Sequence, residues 1–247
     1  MGDSTTEGLV DPYPDGGFRG WADRLAERLD SLGSGVTYAN LAIRGRKVAR
    51  IRAEQFEPAL AMAPDLASVI GGVNDILRPK VDLDGVAGQI EEMVAGLRAG
   101  GATVLMMTYP DPGKLMPMAR ATSHRVLAFN EVLQEIAIRR GACLMDFGRE
   151  GSADERLRHH DRLHANSEGH RRIAEAAAEV LGLPGATADW RVPLPEAQRT
   201  PAPVALAGEL VWMGRHMAPW VGRRLRGRSS GDGVLPKRPR LSPVRPG

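Results

Sequence analysis

Apolar and polar positions alternate along this chain in two rhythms. Short apolar runs, "GVTYANLA" (35–42), "LASVIGG" (66–72), "TVLMMTYP" (103–110) and "ACLMDFG" (142–148), are bounded by Gly, Pro or polar residues and predict strands. Between them lie longer segments with one-sided apolar stripes. Over 20–33, Trp21, Leu25 and Leu29 recur every four residues; over 83–101, Ile90, Met93, Val94 and Leu97 line up the same way. Segments 47–63, 120–141 and 167–183 complete the predicted helices. Apolar strands alternating with amphipathic helices imply crossover units around a parallel sheet covered on both faces. The expected domain is a three-layer α/β/α unit over residues 1–185. In such sheets ligands bind beyond the carboxyl ends of the strands, so the residues just after each strand carry the chemistry.

Composition adds a second region. Residues 186–247 hold 11 Lys+Arg against 4 Asp+Glu, whereas 1–185 hold 22 against 26, so a mildly acidic body carries a basic tail. The Pro-rich 186–203 reads as a linker that wraps the domain or leaves it. Segment 204–228 reads as a basic amphipathic helix (Leu206, Leu210, Met213, Met217, Trp220 and Val221) interrupted at Pro219 and ending in Arg223, Arg224, Arg226 and Arg228. It either docks on the body or makes peripheral contact with anionic lipid. Residues 229–247 are expected to be irregular or disordered. No apolar run approaches the roughly 20 residues of a membrane-spanning helix. A cytoplasmic location and no nucleic-acid partner are expected. Cys143 excludes an internal disulfide and is expected to be buried and inert.

Polar residues cluster at the strand exits. Ser4, in "GDSTTEG", can act as a nucleophile if a base takes its proton. An imidazole can accept and later return a proton near neutral pH, and His164, in "DRLH", supplies one. Asp161, three residues earlier, projects to the same side and can hold the histidine Nδ1 proton. Donors for an oxyanion are the backbone N–H groups of Ser4 and Gly45 and the side-chain amide of Asn74. Asp75 orients a loop or faces water, Arg44, Arg46 and Lys47 surround Gly45, and His170 is structural or solvent-facing.

In order, "GDSTTEG", the glycine of "NLAIRG", "GGVND" and "DRLH" resemble the four blocks of the SGNH/GDSL hydrolase superfamily, over about residues 1–183. Thr5 stands where many members have Leu. The resemblance implies a flavodoxin-like sheet, a serine esterase, lipase or acyl-esterase working through an acyl-enzyme on a small carboxylic ester or lipid ester, and no metal or cofactor. It maps Ser4, His164 and Asp161 onto the triad and Gly45 and Asn74 onto the oxyanion hole. In a sheet of order 2-1-3-4-5 the first strand is central and carries the nucleophile, yet Ser4 is three residues from Met1. The first strand is therefore expected to be missing from this chain, with roughly 5–15 further residues in the native polypeptide. Two rivals stay open. One is a catalytically impaired binding protein; the other is a metal-dependent hydrolase using His159, His160 and His164.

Overall fold

The apolar runs form strands where their pattern places them: β1 (Thr37–Asn40), β2 (Leu66–Ser68), β3 (Thr103–Met107) and β4 (Cys143–Met145). The structure is a computed structural model that describes residues 1–33, 35–78, 80–115, 119–149, 153–196, 208, 210–219, 222, 226 and 229–244. Strands β2, β3 and β4 pair in parallel, in that order, with Leu66 opposite Thr103 and Leu105 opposite Cys143. Helices α1 (Ser4–Glu7), α2 (Gly20–Ser31), α3 (Val48–Ile51), α4 (Glu57–Ala61), α5 (Val73–Ile76), α6 (Leu83–Ala99), α7 (Pro112–Leu115), α8 (Arg120–Arg140) and α9 (Ser167–Val180) alternate with them. Helix α2 packs on α9, and α6 packs on α8 and α3, giving two helical groups as a layered α/β fold requires.

Both predicted stripes face inward. Ile90, Met93, Val94 and Leu97 of α6 are fully buried, as are Trp21 of α2 and Phe129 of α8. Truncating a ring such as Phe129 to Ala is expected to cost about 3–5 kcal/mol, transfer and cavity terms together.

Among the described residues the strands fall into two sheets. Strand β1 lies in a separate two-stranded sheet, paired antiparallel with a fifth strand, β5 (Arg238–Pro243), with Tyr38 opposite Ser242. Met1 and Gly2 lie in the slot between β1 and β2. Gly2 makes an isolated parallel bridge to Ile70, the Met1 amino group donates to Ser68 O at 2.9 Å, and Ile43 N donates to Gly2 O at 3.3 Å. The remaining valences of Gly2 are met by a side chain. Buried Gln55 accepts from Gly2 N at 2.7 Å and donates to Gly2 O at 3.0 Å. A π-turn over Arg52–Phe56, between α3 and α4, carries that glutamine.

The tail also departs from expectation. Residues 238–243, read as irregular, form β5, because the edge of β1 offers unpaired backbone groups that a returning segment can satisfy. The described part of the linker wraps the domain: Trp190 packs against Phe147 at 4.7 Å, and Arg172 donates to Trp190 O and Val192 O. Of 204–228, only 208, 210–219, 222 and 226 are described, with a π-turn at Met213–Met217 just before Pro219; the rest of that helix reading lies outside the described residues. Cys143 is part-buried rather than buried, because β4 borders no further strand among the described residues. No helix among the described residues is long and apolar enough to cross a membrane.

Candidate active site

The serine turn is built by capping and by a glycine pair. Asp3 is the N-cap of α1, its Oδ1 accepting from Thr5 N at 3.1 Å, so Ser4 opens the helix. Gly8 ends α1 in a left-handed conformation and meets Gly20 at the start of α2. A Cβ on Gly8 would lie 2.6 Å from Gly20 Cα, so only glycine lets the two backbones cross there. Nearby, the buried Asp11 accepts from both Arg24 Nε and Nη2 at 2.9 Å and from Gly20 N at 3.1 Å, tying the loop after α1 to α2.

Asp3 does more than cap. Its other oxygen accepts from Asn74 Nδ2 at 3.1 Å, and the same amide donates to Arg46 O at 3.2 Å. Asn74 thus links the serine turn to the Gly45 loop. Both of its amide protons are engaged, so an oxyanion would have to share or displace one of these acceptors. Burial raises the Asp3 carboxyl to about 6, against the lowering effects of the Thr5 hydrogen bonds and of the nearby His164.

Asp161 and His164 meet as their spacing implies. His164 Nδ1 is 2.6 Å from Asp161 Oδ2, while Asp161 Oδ1 accepts from the backbone N–H groups of Leu163 and His164 at 3.0 and 3.1 Å. These bonds outweigh partial burial and hold Asp161 well below the usual carboxylate range. A bridge between Arg158 and Ala165 closes the loop that presents the pair, and Arg162 turns it at φ 59°. Asn166 then caps α9 by accepting from Gly169 N at 2.9 Å. No hydrogen bond joins Ser4 to His164 among the described residues, although the imidazole does act electrostatically on Asp3, next to Ser4.

Gly45 has φ 72°, in the left-handed region. Its flanking arginines are structural rather than free: Arg44 pairs with the buried Glu7, and Arg46 with Glu54 at 2.7 Å. Asp75 resolves as a cap, accepting from Val48 N at 3.0 Å at the start of α3. His170 is structural: buried, it accepts from Trp21 N at Nδ1 and faces Leu9 O with Nε2, both at 3.2 Å. Sequence reasoning missed Gln55 and Glu7, although a Gln inside a helical apolar pattern and an acid just after the serine turn were visible signals. His159, His160 and His164 do not converge. His159 lies 5.2 Å from His160 ring to ring and 3.8 Å from Asp161, and no group of three or more potential ligands is gathered among the described residues. A cavity of about 390 Å³ between α8 and β4, bordered by Gln134, Ala137 and Leu144, involves none of these residues.

A serine opening a helix, an aspartate–histidine pair and amide donors at strand exits suit attack on a carbonyl, and comparison with known proteins fixes the class: this is a carboxylic-ester hydrolase. More narrowly, the chain belongs to the GDSL-like Lipase/Acylhydrolase family, whose model matches residues 1–172. Among solved structures it is similar to a catalytic mutant of Axe2, an acetylxylan esterase from Geobacillus stearothermophilus, at 20% identity and TM-score 0.62, covering 76% of this chain and 94% of that one. LAE5, an alpha/beta hydrolase from the metagenome of Lake Arreo, Spain, is similar at 21% identity and TM-score 0.61, covering 73% and 92%. TesA is similar at 24% identity and TM-score 0.59, covering 73% and 94%. Catalytic mutants of Axe2 replace a serine, an aspartate and a histidine, the last two three positions apart. No curated protein matches the chain.

Proposed function

We propose that the chain hydrolyses a small carboxylic ester or lipid ester through an acyl-enzyme formed on Ser4. His164 Nε2 takes the Ser4 proton as Oγ attacks the ester carbonyl, and Asp161 holds the Nδ1 proton and steadies the imidazolium. The backbone N–H groups of Ser4 and Gly45 and the Asn74 amide receive the oxyanion. Collapse of the tetrahedral intermediate breaks the bond to the alcohol, which leaves with the proton from His164. Water, deprotonated by the same imidazole, then attacks the acyl-enzyme and releases the acid, restoring the Ser4 hydroxyl.

The observation that carries this reading is the 2.6 Å contact of Asp161 with His164 Nδ1, which occupies one ring nitrogen and leaves Nε2 clear of the carboxylate to serve as the base. The serine, aspartate and histidine replaced in Axe2 catalytic mutants support it by analogy. A fluorophosphonate probe tests it. Labelling of the wild type at Ser4, with loss of labelling and turnover in Ser4→Ala, is the expected result. An unlabelled, inactive wild type that still binds ester analogues is the outcome for the impaired binding protein, a reading favoured only by the double engagement of the Asn74 amide. Peripheral lipid contact by 204–228 is a separate proposal, tested by co-sedimentation with anionic vesicles.

A further inference from the structure

Residues 229–244 lie beyond the family match, yet they return to the candidate site. The turn at Ser229–Asp232 rests directly on the Gly45 loop. A Cβ on Gly45 would lie 2.5 Å from Ser229 Oγ and 2.9 Å from Ser230 Oγ, and one on Gly231 would lie 2.1 Å from Arg44 O. Ser229 Oγ donates to Gly45 O at 3.3 Å. Asp232 closes the turn by accepting from Ser229 N at 2.8 Å and stands 3.9 Å from the Arg46 guanidinium.

This segment is held in place by more than the turn. β5 adds to the edge of β1, and the Arg238 guanidinium lies over the Tyr38 ring at 5.2 Å. Lys237, its side chain 19% exposed, donates to Phe18 O at 2.9 Å, Arg19 O at 2.8 Å and the buried Asp23 carboxylate. An ammonium so far withdrawn from water costs several kcal/mol unless its donors are satisfied, and here three acceptors meet its three protons. The strap is therefore a fixed part of the domain.

Its position gives it a role. A Cβ stands about 1.5 Å from its Cα, so both serine hydroxyls lie within about 4–5 Å of Gly45 Cα. An oxyanion held by Gly45 N–H lies about 3 Å from that nitrogen. The turn thus stands against the residue assigned as an oxyanion donor, and it presents hydroxyls and a carboxylate rather than apolar surface. We propose that the Ser229–Asp232 turn is a specificity-determining wall of the ester site, admitting short acyl groups and opposing long alkyl chains. The proposal rests on the reading of Ser4 and Gly45 given above.

The test measures kcat/KM for p-nitrophenyl acetate and p-nitrophenyl octanoate in the full-length wild type, Gly231→Ala, Lys237→Met and Ser4→Ala. Gly231→Ala forces the turn off the Arg44 carbonyl, and Lys237→Met releases the strap from Asp23. The expected result is a wild-type preference for acetate and an octanoate-to-acetate ratio at least fivefold higher in both strap variants. Because both esters are read on one sample, a partly folded variant changes both rates alike and leaves the ratio untouched. An unchanged or lower ratio in both variants, with Ser4→Ala inactive, overturns the wall while leaving the esterase reading standing. Turnover that survives Ser4→Ala overturns both.

Discussion

His170 offers a quantitative check on how the serine-bearing end of the molecule is packed. The imidazole is 2% exposed, accepts from Trp21 N and faces Leu9 O, an arrangement that suits only the neutral ring. Burial brings its pKa down to about 4 from the ordinary 6.5, with Arg24 and Lys237 adding to the lowering and Asp11 and Leu9 O opposing it. The unfolded chain binds a proton near pH 6.5 and the folded chain only near 4, so this residue's contribution to stability is complete above pH 6.5 and is lost as pH falls to 4. A gap of about 2.5 units at 1.36 kcal/mol each amounts to about 3 kcal/mol. Asp3 works in the opposite sense. Its carboxyl, raised to about 6, makes the folded state relatively more stable as pH falls from 6 toward 4, by a similar amount. The wild-type curve alone therefore conceals both effects, and the informative quantity is the difference between wild type and His170→Gln. Urea unfolding of both proteins from pH 4 to pH 7.5 measures it. The wild-type advantage at neutral pH should shrink by about 3 kcal/mol at pH 4. A difference constant to within about 0.5 kcal/mol across that range would refute the buried neutral histidine.

Two further substitutions probe the candidate catalytic groups. Asp161→Asn removes the acceptor that fixes the His164 tautomer, and by analogy with other triads kcat should fall by up to about 10⁴-fold with KM little changed, read by steady-state kinetics. Asn74→Ala should slow acyl transfer by about 2.7–4 kcal/mol, roughly a hundredfold or more, in single-turnover assays. Because it also leaves Asp3 and the Arg46 carbonyl without their donor, its stability in urea should fall by about 1–3 kcal/mol.

Periodicity is a local property, and what depends on it was legible in the chain. The α2 and α6 stripes and the four apolar runs mark the elements because neighbours on one helix face or strand are neighbours in sequence. The Asp161–His164 contact was legible for the same reason, since its partners are three residues apart. Gly45 and Asn74 were legible as the kinds of residue that donate backbone or amide protons at strand exits, although their mutual placement was not. That placement depends on Asn74 reaching Asp3 across 71 residues and Arg46 across 28. The clamp of Gln55 on Gly2, the pairing of β5 with β1 and the seating of Lys237 on Asp23 likewise join groups with no sequence proximity. Each meets a need that arises only once the chain is folded: an unpaired strand edge, a backbone amide cut off from water, a buried charge. The class of chemistry and the order of the elements were therefore written in local patterns of residues. The return of the tail to Gly45 was not, because the groups that hold it there become unsatisfied only when the rest of the domain has buried them.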